Sequence, residues 1–327
     1  LKTALERRWY ASSAPPALLQ PLAALYGAIS RARRRRLQDR AVQVPVPVVI
    51  VGNISVGGTG KTPFAIWLLE RLCEWGWTPG VVSRGYGAQP PQRPYRVPTG
   101  GDPRLCGDEP LLIAQRSGCP VVIDADRVAA ARYLLATHPA VDIILSDDGL
   151  QHYRLARNVE IALVDGRRGL GNGALLPAGP LREAPARLNE VDLVVINGGD
   201  WSRGGALHMC LQADDARHLL DGERRPLAAW RGQRVHAVAG IGDPTRFFAT
   251  LRDAGLDVIE HPFADHHAYT AADLAFGDAR PVLMTEKDAV KCTLFGDGRL
   301  WSLPVVAWLD ERDAARVRQC METARPV

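Results

Sequence analysis

The chain has 327 residues, 46% of them hydrophobic and 6% aromatic, and a net charge of +4. That is room for two ordinary cores of a soluble α/β protein, which excludes a small fold dependent on disulfide or metal staples. Six cysteines (Cys73, Cys106, Cys119, Cys210, Cys292 and Cys320) form no C-x-x-C pair and no metal-ligand spacing, as structural thiols in a reducing compartment would; no secretory signal is expected in the first residues.

The charge is unevenly placed. Residues 1–40 hold nine Lys/Arg against Glu6 and Asp39, a net +7, which leaves the rest of the chain near −3. Between Arg8 and Arg31 lie 22 uncharged residues, a length able to span a bilayer, which needs about 20 apolar residues. Ser12, Ser13, Pro15, Pro16, Gln20 and Pro21 dilute that stretch, and Leu18, Leu22, Leu25 and Ile29 recur at helical spacing. The pattern reads as an amphipathic helix lying in a membrane surface. Trp9, Tyr10 and Tyr26 would then sit among headgroups and the arginines of 31–36 against anionic lipid. A solvated basic tail and a nucleic-acid contact are the alternatives, the latter disfavoured because the run lacks interleaved aromatics and precedes the expected cleft.

Next comes an apolar strand over 46–52 that breaks into the glycine-rich turn of GNISVGGTGKTP and a helix over 61–75. This is a phosphate-binding loop. Ser55, Gly57, Gly58, Thr59 and Gly60 can close around di- and triphosphate oxygens, Lys61 can reach the β- and γ-phosphates, and the Thr62 hydroxyl is placed for Mg²⁺. The usual pattern wants glycine where Ser55 stands, and Gly57, Gly58 and Gly60 tighten the turn instead. Val56 occupies the position of the extra lysine through which some P-loop NTPases dimerise, which argues against that mode.

Strands over 79–83, 120–123 and 141–146 alternate with helices over 108–117 and 125–137, and further strands are expected at 159–165 and 191–196. Such alternation means βαβ units in a parallel sheet with helices on both faces, and ligands at the carboxyl ends of the strands. Two long polar insertions, 84–107 and 166–187, follow strands directly, as binding loops or lids do. A second α/β unit follows, with strands over 235–239, 256–260, 281–285 and 300–308, helices over 243–254, 271–276 and 286–292, and a closing helix. The expected organisation is a membrane-associating helical segment (1–40), a P-loop domain (41–200), a connector with a possible β-hairpin near 205–228 (201–232) and a smaller α/β domain (233–327).

Three further clusters carry chemistry. In VDIILSDDGLQH a strand delivers Asp147 and Asp148 opposite the P-loop, the arrangement in which a strand-end carboxylate holds Mg²⁺; turn chemistry alone is the rival. In GDEP, Asp108 is either a helix cap or, like Glu109, a group able to take a proton from an attacking hydroxyl, and the motif alone does not decide. In Asp265, His266 and His267, a histidine could support such a carboxylate, and TEKD at 285–288 suggests that this unit's strand ends face the same cleft.

Taken in order, GNISVGGTGKTP, SRGYG (83–87), GDEP, DDGLQH, LLPAGPLRE (175–183), ADHH and MTEKDAVKC resemble the motif set of the tetraacyldisaccharide 4'-kinases, over essentially the whole chain. The resemblance implies transfer of the ATP γ-phosphate to the 4'-hydroxyl of an acylated glucosamine disaccharide 1-phosphate on the cytoplasmic face of the bacterial inner membrane. It implies Asp108 as base paired with His266 (His267 is not separated from it), Lys61 and Thr62 on phosphate and Mg²⁺, and Asp147 and Asp148 completing the metal site, with Asp148 also catalytic and Glu109 in the metal's outer shell. By the same resemblance Glu183 is a nucleotide-side contact, and Arg84, Arg127 and His152 contact substrate or phosphate. The implied protein is a peripheral, monomeric enzyme whose two domains close to assemble the base and its histidine. The rivals are a P-loop switch or assembly NTPase, a nucleic-acid-dependent NTPase and a soluble small-molecule kinase. Asn197, Gly198, Gly199 and Asp200 lack the lysine of a guanine-specific segment, which argues against GTP.

Overall fold

The computed structural model describes residues 2–11 and 14–325, so Ser12 and Ser13 of the N-terminal reading lie outside the described residues. Two helices, α1 (Lys2–Ala11) and α2 (Gln20–Gln38), come first. A large sheet takes β1 (Val48–Gly52), β2 (Pro79–Ser83), β3 (Tyr95–Arg96), β4 (Val121–Ile123), β5 (Ile143–Asp147), β6 (Val159–Asp165), β7 (Leu193–Asn197) and β8 (Leu207–Ala213). Among them lie α3 (Lys61–Glu74), α4 (Pro103–Cys106), α5 (Asp108–Ser117) and α6 (Arg127–Thr137). A smaller sheet takes β9 (Ala216–His218), β10 (Arg224–Arg225), β11 (Arg234–Ala239), β12 (Asp257–Pro262), β13 (Val282–Thr285) and β14 (Leu300–Leu303), with α7 (Pro244–Asp253) and α8 (Glu286–Cys292). The chain then closes through β15 (Val305–Leu309) and α9 (Glu311–Thr323).

The large sheet has the order β15-β8-β7-β6-β1-β5-β2-β4-β3, parallel throughout except at its two edges. Its central strands are buried almost end to end, and mostly apolar, because both faces are covered. Val49, Val51, Ile143 and Leu145 face a core shared with α3, α5 and α9, while Val48, Ile50 and Ile144 face one shared with α6. The register pairs Val51 with Asp147, so the carboxylate end of β5 lies beside the strand that enters the P-loop. The smaller sheet runs β10-β9-β14-β13-β11-β12, parallel in its centre, over a core that includes Phe248, Trp230 and Trp301. Helix starts follow the capping expectation: Asp126 accepts from Val128 N at 3.0 Å ahead of α6, and Asp310 from Asp313 N at 2.7 Å ahead of α9.

The expected boundaries shift in two places. The strand expected over 300–308 is two strands in different sheets, because Pro304 has no N–H to continue a ladder and the chain crosses there from the small sheet to the edge of the large one. Residues 305–325 thus belong with the P-loop sheet rather than with the second α/β unit. The connector is likewise divided, β8 extending the large sheet and β9 with β10 forming a short hairpin on the small one.

The N-terminal aromatics depart from their expected place. Trp9 is buried and donates from Nε1 to Pro177 O at 3.2 Å, Tyr10 Oη donates to Val56 O at 3.4 Å, and Tyr26 Oη to Arg182 O at 3.2 Å. These rings therefore tie the helices to the P-loop domain instead of presenting themselves outward. The outer face of α2 and the turn before it keep the expected stripe, with Leu18, Leu22, Leu25 and Ile29 exposed by 93%, 53%, 57% and 59%. No helix among the described residues is long and apolar enough to cross a membrane.

Candidate active site

The P-loop is shaped by two left-handed glycines, Gly57 at φ +96° and Gly60 at φ +89°, conformations that a side chain would strain. A Cβ on Gly60 would also stand 2.5 Å from Asn197 Nδ2, which donates to Thr59 O at 3.2 Å. Asn53 braces the loop from below, donating to Ser55 O at 2.7 Å and accepting from Lys61 Nζ at 3.0 Å. Across the loop, Arg168 reaches Gly58 O and is itself held by Asp165 Oδ2 at 3.1 Å. The 175–183 loop zips along the entry strand, with Val56 N donating to Pro180 O at 2.9 Å and Arg182 N to Ile54 O at 2.7 Å.

Asp147 and Asp148 stand beside this loop in contrasting environments. Burial pushes the Asp147 carboxyl up, reinforced by the nearby charges of Glu109 and Asp148; Ser83 Oγ donates to it at 3.0 Å. Burial pushes on Asp148 too, but Lys61 at 3.4 Å, Arg182 at 3.5 Å and Arg127 outweigh it and hold it low. Asp148 takes φ +46°, and His266 takes φ +61°; these are the positive-φ residues other than glycine among those described. Such strain costs on the order of 1–3 kcal/mol and persists where the surroundings dictate it, commonly at sites of function.

The residues present fit a nucleotide with Mg²⁺. Thr59 Oγ1 is buried without a hydrogen-bond partner in the protein, Asp148 Oδ1 is buried facing the Lys61 ammonium at 3.4 Å, and Gly58 has open space where a Cβ would stand. No group of three or more His, Cys, Asp or Glu among the described residues could cage a metal alone. That suits Mg²⁺, a hard cation usually held by one or two carboxylates with substrate phosphates and water filling its shell.

A second corner lies opposite. Asp108 opens α5, yet Gly107 occupies the cap position with no side-chain cap bond, so capping is not what fixes this carboxylate. Its Oδ2 lies 3.2 Å from His266 Nδ1 and 3.5 Å from Lys291 Nζ. Burial works against the charged form, but His266, Lys291 and Lys287 more than offset it and hold the carboxyl below its ordinary range. Lys287 Nζ reaches Glu109 Oε1 at 3.1 Å, Asp265 Oδ1 at 3.3 Å and His266 Nε2 at 3.4 Å. The corner adjoins the P-loop: a Cβ on Gly242 would stand 4.0 Å from both Gly58 N and Asp265 Oδ2. Asp108 belongs to the large sheet's helices and His266 to the loop after β12, and the pair is already in contact in this structure.

Residues 16–322 match the family model described as tetraacyldisaccharide-1-P 4'-kinase. The chain belongs to that family. Relatives bearing the name tetraacyldisaccharide 4'-kinase include one from Aromatoleum aromaticum, 49% identical over 330 residues and covering 97% of each chain. Another, from Alkalilimnicola ehrlichii, is 54% identical over 300 residues, 88% of this chain and 87% of that one. The crystal structure of LpxK from Aquifex aeolicus in complex with ATP matches with a TM-score of 0.78 at 27% identity, covering 94% of this chain and 98% of that one.

Against the pattern expected of a tetraacyldisaccharide 4'-kinase, the structure gathers Ser55, Gly57, Gly58, Thr59, Gly60, Lys61, Thr62, Asp147 and Asp148 at one corner and Asp108 and His266 at the other. His267 is separated from His266, turning to Asp273 Oδ2 at 3.4 Å. Glu183 is buried, accepting from Gln151 at 2.7 Å and from the Tyr153 hydroxyl, so it supports the DDGLQH turn. Arg127 is likewise 3% exposed, its terminal nitrogens donating to Asp124 O at 2.8 Å and Asp147 O at 3.3 Å. Burial and Arg127 lower His152 to about 4, so it is neutral, and it accepts from Arg127 N at 3.4 Å. Arg84 is exposed. Sequence reading assigned no role to Asn53, Ser83, Arg168, Arg182 or Lys291. Asn53, Ser83, Arg182 and Lys291 sit inside the quoted motifs, which was the available signal, but the site residues they meet, Lys61, Asp147, Asp148 and Asp108, are 8 to 183 residues away.

Proposed function

We propose that this chain is an ATP-dependent kinase that transfers the γ-phosphate to the 4'-hydroxyl of a tetraacyl glucosamine disaccharide 1-phosphate in lipid A biosynthesis. Lys61 and the P-loop amides hold the phosphates, while Thr62, Asp147 and Asp148 hold Mg²⁺, which when bound neutralises charge between the β- and γ-phosphates. Asp108, kept ionised by its cations, takes the hydroxyl proton as the oxygen bonds to phosphorus, and His266 orients it. Phosphoryl transfer is mostly positioning and charge neutralisation, so this set is sufficient. Arg84, which is exposed, is a candidate for a substrate contact. The observation that carries the reading is that the two strained residues, Asp148 and His266, stand one at each corner, beside Lys61 and Asp108 respectively.

An acceptor with four acyl chains stays in a bilayer, so the enzyme must come to it. The outward stripe of Leu18, Leu22, Leu25 and Ile29, continued by the exposed Arg31, Arg33, Arg35 and Arg36 while Arg34 turns inward to Glu190, suits the surface of an anionic leaflet, as a peripheral monomer on the cytoplasmic face. Label from γ-labelled ATP, with Mg²⁺ and detergent-dispersed tetraacyl disaccharide 1-phosphate, is expected in the lipid and lost in Asp108→Ala. ATP consumption that leaves the lipid unlabelled in the wild type overturns the reading.

A further inference from the structure

Helices α5 and α8 are joined by charge at both ends. At one end Arg116 Nη1 donates to both carboxylate oxygens of Glu286 at 2.7 Å, with little of either side chain exposed. At the other end of α5, Glu109 meets Lys287, which follows Glu286 in α8, and Asp108 meets Lys291 one turn further along, at 3.1 and 3.5 Å. A two-ended staple fixes the rotation of α8 about its axis. Residues four apart share a helix face, so both lysines are aimed at the acid–base corner.

The two ring nitrogens of His266 meet different chemistry. Nδ1 lies 3.2 Å from the Asp108 carboxylate, whereas Nε2 lies 3.4 Å from the Lys287 ammonium. A carboxylate only accepts and an ammonium only donates. We propose that Lys287 is a positioning residue for the kinase reaction: by donating to His266 Nε2 it holds the imidazole as the neutral Nδ1–H tautomer, which donates to Asp108 and aims the remaining carboxylate lone pairs at the acceptor hydroxyl. The proposal rests on Asp108 being the base.

One neighbour pulls the other way. Asp265 Oδ1 lies 3.9 Å from Nε2 and would favour a proton there, but Lys287 is nearer to the ring and stands 3.3 Å from that same oxygen, neutralising it. A doubly protonated ring would direct a second donor at the ammonium. The remaining groups around the ring are Glu109 from α5, reached through Lys287, Lys291 from α8, reached through Asp108, and Tyr86 with its ring 5.3 Å away. Burial works against the Lys287 charge, but Glu109 and Asp265 outweigh it and raise its pKa, so the donor persists across the working range. The proton balance is simple. The hydroxyl proton passes to Asp108 as the new O–P bond forms and the bond to the ADP oxygen breaks, and the proton on Nδ1 stays where it is.

The test is ¹⁵N NMR of the histidine-labelled full chain, with the His266 signals assigned by their loss in His266→Gln. The expected wild-type ring carries its proton on Nδ1, and in Lys287→Met that tautomer gives way to a mixture or to Nε2–H. Turnover should fall roughly a hundredfold, the scale of a misplaced catalytic group, with KM for ATP unchanged and Lys287→Arg restoring both tautomer and much of kcat. An Nδ1–H tautomer that survives in Lys287→Met overturns the proposal whatever kcat does. Should that variant not fold, an Nε2–H ring in the wild type overturns it equally. Full turnover in Asp108→Asn would sink the base assignment instead, and the tautomer measurement, which needs no turnover, tells the two failures apart.

Discussion

The two corners of the site are built by opposite means. The phosphate corner centres on one continuous segment whose shape comes from backbone: left-handed Gly57 and Gly60, with Asn53 and Asn197 bracing the turn and Asp147 and Asp148 delivered beside it. The acid–base corner has almost no backbone design. It consists of Asp108, Glu109, His266, Lys287 and Lys291, brought from three segments and two sheets and held by charge at 3.1–3.5 Å. A backbone-built site tolerates movement of its surroundings, whereas a charge-built one depends on how the two sheets meet. Nucleotide binding should therefore survive damage that abolishes transfer.

Asp108→Asn is the strongest way to break that asymmetry. It keeps shape and removes the proton acceptor, so kcat should fall by roughly 10²–10⁴, the usual weight of general base catalysis, with KM for ATP little changed. An equal loss of ATP affinity would mean that the corners are not separable. Lys61→Met should cost roughly 10²–10³ in kcat, as removal of a transition-state donor does, and should weaken ATP binding as well. Steady-state kinetics with varied ATP reads both splits.

A milder perturbation sharpens the comparison through pH. The Asp108 carboxyl is held low against burial by His266, Lys291 and Lys287. Its ionised form, and the stability it contributes, is present above the ordinary carboxylate value of about 3.9 and is lost as pH falls through the depressed native value. Lys291→Met removes one of the two ammonium groups among them, so the acid limb of the kcat profile should move to higher pH, while the pH dependence of ATP binding stays put. An unmoved limb would mean that Lys291 serves only its other partners, Asp288 Oδ1 at 3.0 Å and His267 O at 3.1 Å.

The same contrast explains what the sequence made legible. A backbone-built loop is local, so its glycines, Lys61 and Thr62 can be read from spacing, as can the strand that delivers Asp147. The charge-built corner is not local: Asp108 could be read as a cap until the structure put Gly107 in that position, and nothing in the order of residues separates His266 from His267. For Glu183 and Arg127 the sequence carries no sign of the turn-bracing contacts that the structure shows, because those partners come from other segments. The break at Pro304 was visible as a proline, but which sheet each half joins depends on distant partners.

Helix α2 repeats the comparison on a smaller scale, one face built into the protein and the other left outward. Removing 1–40 would strip both faces, taking away Trp9, Tyr10 and Tyr26, which hold the 175–183 loop and Val56 of the P-loop, so truncation cannot isolate a membrane role. Substitution on the outer face can. Leu22 and Ile29 are more than half exposed, and replacing exposed side chains usually changes stability by no more than about 0.5 kcal/mol. Burying such a side chain fully is worth about 1.5–3 kcal/mol, and half that gain is still available to each. Leu22→Ser with Ile29→Ser should therefore reduce partition onto anionic vesicles roughly tenfold, raise the apparent KM for the vesicle-borne acceptor, and leave both Tm and KM for ATP unchanged. Unaltered vesicle partition would reassign the stripe to the solvent. A raised KM for ATP would show that the outer face also communicates with the P-loop, through the same aromatic contacts that anchor the inner one.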